Sequence, residues 1–409
     1  MKMQCFLLSL IPCAAALIIA SGADSAALKP LENVIHFSST STGIYLGSPS
    51  LLRLPNGDIL ASMDMFGPNA PVSENGEHNI GLIFRSSDNG ASWDYVTEIH
   101  GSYWANLFLH RGKMYLLGVI EQNGHIVIRR SDDNGNTWTQ PVDSEHGLLF
   151  PAGEGRAAPN YHCAPMPMLE HDGRLYRAFE DNITLQGAAG LHSLVISAPV
   201  DADLLKASSW TMSNKLKYDQ QADPPAFGRE SESATGNAAG WLEGNIVLAP
   251  DGQLVNILRA NTLPVVDKAA VVKVSKDGST ASFDSETGFI DFPGGMTKFA
   301  IRYDDKTQRY WTLANGNTNP KNPQQRNRLA VYSSSNLTKW TFHEVLLEDL
   351  ADFENIGNDA RVGFQYVDFR FDGDDIIFMS RTAYKGAHNY HDANFMTFHR
   401  IPDFRERYQ

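Results

Sequence analysis

Histidines recur where a pocket could form. His78 lies in Glu74-Asn75-Gly76-Glu77-His78-Asn79, and His162 in Asn160-Tyr161-His162-Cys163. His388 and His391 share Ala387-His388-Asn389-Tyr390-His391-Asp392, and Arg156, Tyr161 and Arg381 accompany the set. An imidazole exchanges a proton near neutral pH, a guanidinium stays cationic and grips carboxylates, and a phenol can donate a proton. Such a set can neutralise a sugar acid, take a proton from carbon and give one to a leaving oxygen. A second grouping pairs an acid with a cation. Glu243 stands in Trp241-Leu242-Glu243-Gly244-Asn245, and Arg259 follows sixteen residues on, the spacing that puts both on neighbouring strands of one hairpin. Trp241 offers a flat apolar face to a sugar; for Trp104, core packing is the simpler reading. Metal-ligand spacings such as CxxC or HExxH and phosphate-cradling glycine loops are absent from the sequence, so no cofactor is expected.

Hairpins must position these groups. Arg85-Ser86-Ser87-Asp88-Asn89-Gly90-Ala91-Ser92-Trp93 returns as Arg130-Ser131-Asp132-Asp133-Asn134-Gly135-Asn136-Thr137-Trp138. In each copy the Asp carboxylate can accept backbone N–H groups, the Gly supplies a positive φ, and the Trp pins the turn. Weaker copies run through Ser333-Ser334-Ser335-Asn336-Leu337-Thr338-Lys339-Trp340, through Val274-Ser275-Lys276-Asp277-Gly278, and from Ser197 to Trp210. Each follows an earlier hairpin, and six of those are legible. Their turns lie at Leu54–Asp58, His110–Lys113, His171–Arg174, Pro250–Gln253, Tyr303–Lys306 and Phe371–Asp374. Six repeats of this length predict an all-β, six-bladed β-propeller of four-stranded antiparallel blades. Asn33–Phe37 is expected to supply the last strand and close the ring, and the Pro-, Gly- and Glu-rich stretch 213–240 reads as a loop. A propeller gathers its innermost strands around one channel, where a calcium ion is left open.

The repeat resembles the Asp-box of the sialidase superfamily, in which the box is structural and lies on the outer part of a blade. The resemblance covers nearly all of residues 27–409 and implies a site. In that family three arginines hold the substrate carboxylate, a Glu activates a nucleophilic Tyr, and an Asp is the acid/base. Glu243 and Arg259 resemble the base and the second arginine. Arg326, in Arg326-Asn327-Arg328-Leu329-Ala330-Val331, resembles the third arginine, and Tyr366, in Phe364-Gln365-Tyr366-Val367-Asp368-Phe369, the nucleophile. A phenol with a pKa near 10 needs such help to attack: Glu243 can take its proton, and neighbouring arginines are expected to lower its pKa. Two positions depart from the pattern. Gly47 of Gly47-Ser48-Pro49 stands where the family has its first arginine, which removes charge-assisted hydrogen bonds of about 1.5–3 kcal/mol each. Glu77 or His78 stands where the acid/base Asp is expected.

These readings imply an exo-acting glycoside hydrolase cleaving a terminal, acidic sugar from a glycan, with Tyr366, Glu243, Glu77 and His78 as catalytic candidates. Arg259, Arg326, His162, Arg381, Trp241 and His388 are the substrate-binding candidates. The histidines also resemble the His/Tyr/Arg sites of propeller polysaccharide lyases, which gives a second reading: cleavage of a uronate-containing glycan, for example at a rhamnosyl-glucuronate linkage. A non-catalytic glycan-binding propeller is the third.

Met1-Lys2, an apolar run from Phe6 to Ala20 and small residues to Ala26 read as a secretory signal peptide, too short to be a membrane span. Cys5 and Cys13 fall inside it, so the mature chain keeps only Cys163 and no internal disulfide is expected. A net charge of −13 argues against nucleic acid and anionic membranes as partners. A secreted, extracellular monomer is expected. Asn182-Ile183-Thr184 and Asn336-Leu337-Thr338 are glycosylation sequons.

Overall fold

The computed structural model describes residues 28–72, 79–185, 187–219, 239–356 and 359–409, with Arg156 described by its backbone alone. Among them lie six antiparallel sheets, each built on an inner hairpin and completed by outer strands. The first blade runs Tyr45–Arg53, Ile59–Phe66, Ile80–Ser86 and Asp94–His100, and the second Tyr103–His110, Lys113–Val119, Ile126–Ser131 and Leu148–Phe150. The third has Arg174–Asn182 and Leu191–Pro199 at its centre. Its inner edge is broken into Tyr161–His162 and Leu169–His171, because Pro165 and Pro167 cannot donate to a ladder. The fourth has Gly240–Leu248, Leu254–Asn261 and Lys268–Val274; the fifth runs from Ile301–Asp304 to Thr341–Glu348. The sixth pairs Gly363–Asp372, Asp375–Ala383 and Phe395–Ile401. All six first hairpins turn where the sequence places them. Among the described residues of 213–240 the loop reading missed a strand, Leu216–Lys217, which pairs with His192 and Ser193.

Val34–Phe37 is the outermost strand of the sixth blade, hydrogen-bonded to Phe395–Ile401, so the chain's first strand closes the ring. Closure matters because an open sheet edge is a template for aggregation. Side chains also bridge blades near the axis. Asp368 of the sixth blade accepts the Leu51 N–H of the first at 2.8 Å, and Ser50 accepts the Leu107 N–H of the second at 3.0 Å. Asn106 accepts from Arg177 of the third at 2.9 Å, and Asn245 accepts the Ile301 N–H of the fifth at 3.0 Å.

The repeated Ser-x-Asp-x-Gly turns work as their residue types imply. Asp88 accepts the Ser92 N–H at 2.9 Å, and Ser86 accepts the Gly90 N–H at 2.8 Å. Asp133 and Ser131 repeat the pattern with Thr137 and Gly135, both at 2.9 Å. In the weakened fifth-blade copy the Asn336 side chain stands in for the Asp, accepting from Thr338 and Lys339 N–H. Each turn packs on the preceding blade. Gly90 has φ +93° and faces the Phe398 ring of the sixth blade, while Gly135, at +88°, faces Leu60 of the first. These turns therefore seal the grooves between blades, away from the channel mouth.

Candidate active site

Four inner strands break their pleat at the same level. Register shifts fall between Gly47 and Ser50, Tyr103 and Asn106, Leu242 and Asn245, and Gln365 and Asp368. At each bulge one residue takes a left-handed backbone: Ser48 (φ 49°), Trp104 (50°), Glu243 (59°) and Tyr366 (54°). Non-glycine residues adopt this conformation at a cost of order 1–3 kcal/mol, and bulges re-aim side chains. Here all four turn toward one cavity of about 710 Å³, whose wall also carries Asp64, Phe66, His162, Arg381 and His391.

Tyr366 and Glu243, 123 residues apart, meet at the cavity: the Tyr366 hydroxyl donates to Glu243 Oε1 at 2.6 Å. Arg259 Nη1 donates to Glu243 Oε2 at 3.0 Å. Burial alone would raise the Glu243 carboxyl, but the Arg259 charge and the Tyr366 hydroxyl outweigh it and hold its pKa below the ordinary value. The Tyr366 phenol moves the other way from the expectation. Burial and the Glu243 charge raise its pKa, and the opposing pull of Arg259, Arg326 and Arg381 does not offset them. At rest the pair is therefore a carboxylate accepting from a neutral phenol.

Arg326 and Arg381 lie 5.6 and 4.9 Å from the Tyr366 ring centre. Arg326 also bonds Gln365, and Arg381 bonds the His391 carbonyl. Arg259, Arg326 and Arg381 are all buried, and the Nε of each has no hydrogen-bond partner. Arg381 reaches the cavity wall; Arg259 and Arg326 stand behind Glu243 and Tyr366.

His162 lines the cavity with Nδ1 2.8 Å from Glu180 Oε2, and the Trp104 ring meets it edge-on at 4.3 Å. Three readings need correction. Trp241 is 1% exposed and packs among Tyr218, Leu258 and Phe283, so it offers a sugar no face. Strand alternation turns Leu242, not Trp241, to the cavity. Conversely, Trp104 is a cavity wall rather than simple core. His388 is not on the cavity wall: it is largely exposed, bonded to Asp392 and stacked on Tyr45, while His391 takes the wall position. Tyr161 is buried in the core beneath, its phenol pushed up to about 12 by burial and Asp181. Glu77 and His78 fall outside the described residues, as does the signal peptide. Cys163 is buried, its thiol pushed up to about 12 by burial, which makes it a packing residue rather than a nucleophile.

Sequence reasoning missed Asp64 and Glu180, both buried acids on second strands. The available signal was a carboxylate inside an apolar run, as in Ala61-Ser62-Met63-Asp64-Met65-Phe66. Arg177, Lys298, Arg302 and Arg370 gather around Asp368, and no group of three His, Cys, Asp or Glu among the described residues could hold a metal. No described helix is long and apolar enough to cross a membrane.

No protein-family model matches the chain, and no curated protein matches it. Solved structures do. An α-L-arabinanase of Penicillium chrysogenum, complexed with arabinobiose, is 15% identical with a TM-score of 0.53, over 92% of this chain and 99% of that one. A Hadza microbial sialidase is 13% identical with a TM-score of 0.55, over 90% and 68%. The Trypanosoma rangeli sialidase, in complex with sialic acid, is 14% identical with a TM-score of 0.55, over 93% and 59%. By fold, then, the chain is a sialidase-like six-bladed β-propeller.

Proposed function

We propose that the protein is a secreted glycoside hydrolase that removes a terminal sugar from a glycan, with Tyr366 as nucleophile and Glu243 as its base. The observation that carries this reading is the 2.6 Å hydrogen bond from the Tyr366 hydroxyl to an ionised Glu243 at the cavity. A neutral phenol beside a carboxylate loses its proton as it attacks, so charge develops on the nucleophile only in the transition state. Tyr366 Oη bonds to the anomeric carbon, its proton passes to Glu243, and the glycosidic C–O bond breaks. Water then displaces Tyr366, which recovers its proton from Glu243. Arg381 on the cavity wall, with Arg259 and Arg326 behind Glu243 and Tyr366, supports an acidic sugar. The arabinose-cleaving relatives by fold make a neutral pentose the comparison to run beside it. Secretion rests on the apolar leader.

A second reading, elimination from a uronate, is supported by the His162–Glu180 pair at the cavity wall, which suits an imidazole acting as base. Product mass separates the two, because hydrolysis adds water and elimination leaves an unsaturated sugar of unchanged summed mass. Tyr366→Phe preserves the ring and its packing and should lower hydrolytic turnover by orders of magnitude, with Glu243→Gln similar because the pair acts as a unit. His162→Ala should matter much less. Near-normal turnover in Tyr366→Phe overturns the reading.

A further inference from the structure

Hydrolysis as proposed above needs a group that protonates the leaving oxygen, and the geometry points to Asp64 as that general acid and, in the second step, general base. The inference rests on the hydrolase reading and supplies the one role it leaves unfilled among the described residues.

Asp64 sits on the second strand of the first blade, directly opposite Gly47. It is 3% exposed yet forms part of the same cavity wall as Tyr366 and Glu243. Its Oδ2 accepts the Trp104 N–H at 2.8 Å and the Ser48 hydroxyl lies close enough to favour the carboxylate, while Oδ1 itself makes no well-formed hydrogen bond. A buried carboxyl oxygen without a donor is costly, and such an atom calls for a ligand or a proton. Charged and titratable groups face it from several blades: Glu243, His391 and Cys163 share its cavity wall, and the Cys163 thiol feels its charge. Arg381 of the sixth blade is close enough to feel its charge but bonds elsewhere. The Tyr103 phenol of the second blade lies under the influence of Asp64, Arg381 and Tyr366 together.

Gly47 is the other half of the argument. A Cβ at position 47 would overlap Asp64 Oδ1. A side chain at 47 and the present Asp64 carboxyl are therefore mutually exclusive. Where the family resemblance implies a guanidinium, this chain places a carboxyl whose burial raises its pKa to about 6, against the opposing pull of Ser48, the Trp104 N–H and Arg381. A group of that acidity keeps its proton in mildly acidic solution and can give it up to an alkoxide. In the first step the electron pair of the breaking C–O bond goes to the leaving oxygen, which takes the Asp64 proton. In the second, water attacks the anomeric carbon and returns a proton to Asp64, while Tyr366 leaves and recovers its own from Glu243.

The test uses the whole chain with paired substrates. Nitrophenyl glycosides of N-acetylneuraminic acid and of L-arabinose leave without protonation, whereas sialyllactose and arabinobiose do not. On whichever pair the wild type cleaves, Asp64→Asn should lower turnover of the disaccharide by about 100-fold or more. The aryl glycoside should retain its first step, and azide, which needs no base, should accelerate its second. The alkaline limb of kcat/KM against pH should disappear on the disaccharide. Retained aryl-glycoside turnover also certifies the fold. Equal losses on both substrates without azide rescue, or no loss on the disaccharide, overturn the inference. So does the same split in Glu77→Gln or His78→Ala with Asp64→Asn unaffected. Failure of the hydrolase reading looks different: the wild type cleaves none of the four, or Tyr366→Phe stays active.

Discussion

Replacing Glu243 by Gln keeps its shape and deletes one charge, and the structure sets the consequence. Glu243 is 2% exposed and is the carboxylate that pairs with buried Arg259 and accepts from Tyr366. Its ion pair with Arg259 has an N–O distance of 3.0 Å. With charge centres about 4 Å apart and an effective dielectric near 20, the attraction is roughly 4 kcal/mol. That agrees with the about 3–5 kcal/mol lost when one partner of a buried pair is removed. The Gln carbonyl can still accept from Arg259, so the loss at pH 7 should fall near the lower end, about 3 kcal/mol. The pH dependence has a definite sign. Glu243 has a lowered pKa in the folded protein, so its contribution is present above the ordinary glutamate pKa near 4.3 and is lost as pH falls through the folded value. Urea denaturation of both proteins should show a gap at pH 7 that narrows on acidification below pH ~4. A Glu243→Gln variant within about 1 kcal/mol of the wild type at pH 7, or a gap that ignores pH, would refute the view that this carboxylate holds buried Arg259 in place.

Other perturbations follow the same physics. Burial raises Asp64 from 3.8 to about 6, so its ionisation opposes folding: stability present below pH ~4 is lost as pH rises through 6, by roughly 3 kcal/mol. Asp64→Asn should therefore melt higher than the wild type at pH 7 and show no gain near pH ~3. Gly90→Ala forces a left-handed alanine against the Phe398 ring, whereas Gly252→Ala, at φ +83°, meets open space. The first should cost roughly 2 kcal/mol or more, by backbone strain plus overpacking, and the second about 1, measured as denaturation midpoints. Removing residues through Phe37 uncovers the edge of Phe395–Ile401, and light scattering should then rise on gentle heating; an equally stable, monodisperse truncation would contradict ring closure.

The fold was legible because its signals are local. Each Asp/Gly turn needs only its own backbone, and Ser86, Asp88 and Gly90 bond within five residues. The pairing of Tyr366 with Glu243 was reachable only through family resemblance, since no local rule joins residues on the fourth and sixth blades. Trp241 was misplaced because sequence alternation gives the two faces of a strand without saying which one meets the channel. Asp64 was missed for a related reason: its importance comes from a neighbour, Gly47, that has no side chain to advertise it. The Tyr366 pKa ran against expectation because burial and Glu243 together exceed three partly engaged arginines.

The four bulges give the channel mouth a property that a regular strand lacks. In an unbroken pleat, exchanging one inward residue leaves its neighbours committed to the same alternation, and a one-residue slip moves them all to the wrong face. At Ser48, Trp104, Glu243 and Tyr366 the backbone has already absorbed the extra residue, and normal pairing resumes at Ser50, Asn106, Asn245 and Asp368. The side chain at each apex can therefore change identity while the inter-blade girdle below it stays in place. Evolution could retool such a mouth one position at a time, trading nucleophile, stacking ring or acid without redesigning the propeller. In the laboratory the same four positions form a compact library whose members should share one fold and differ in what they cut.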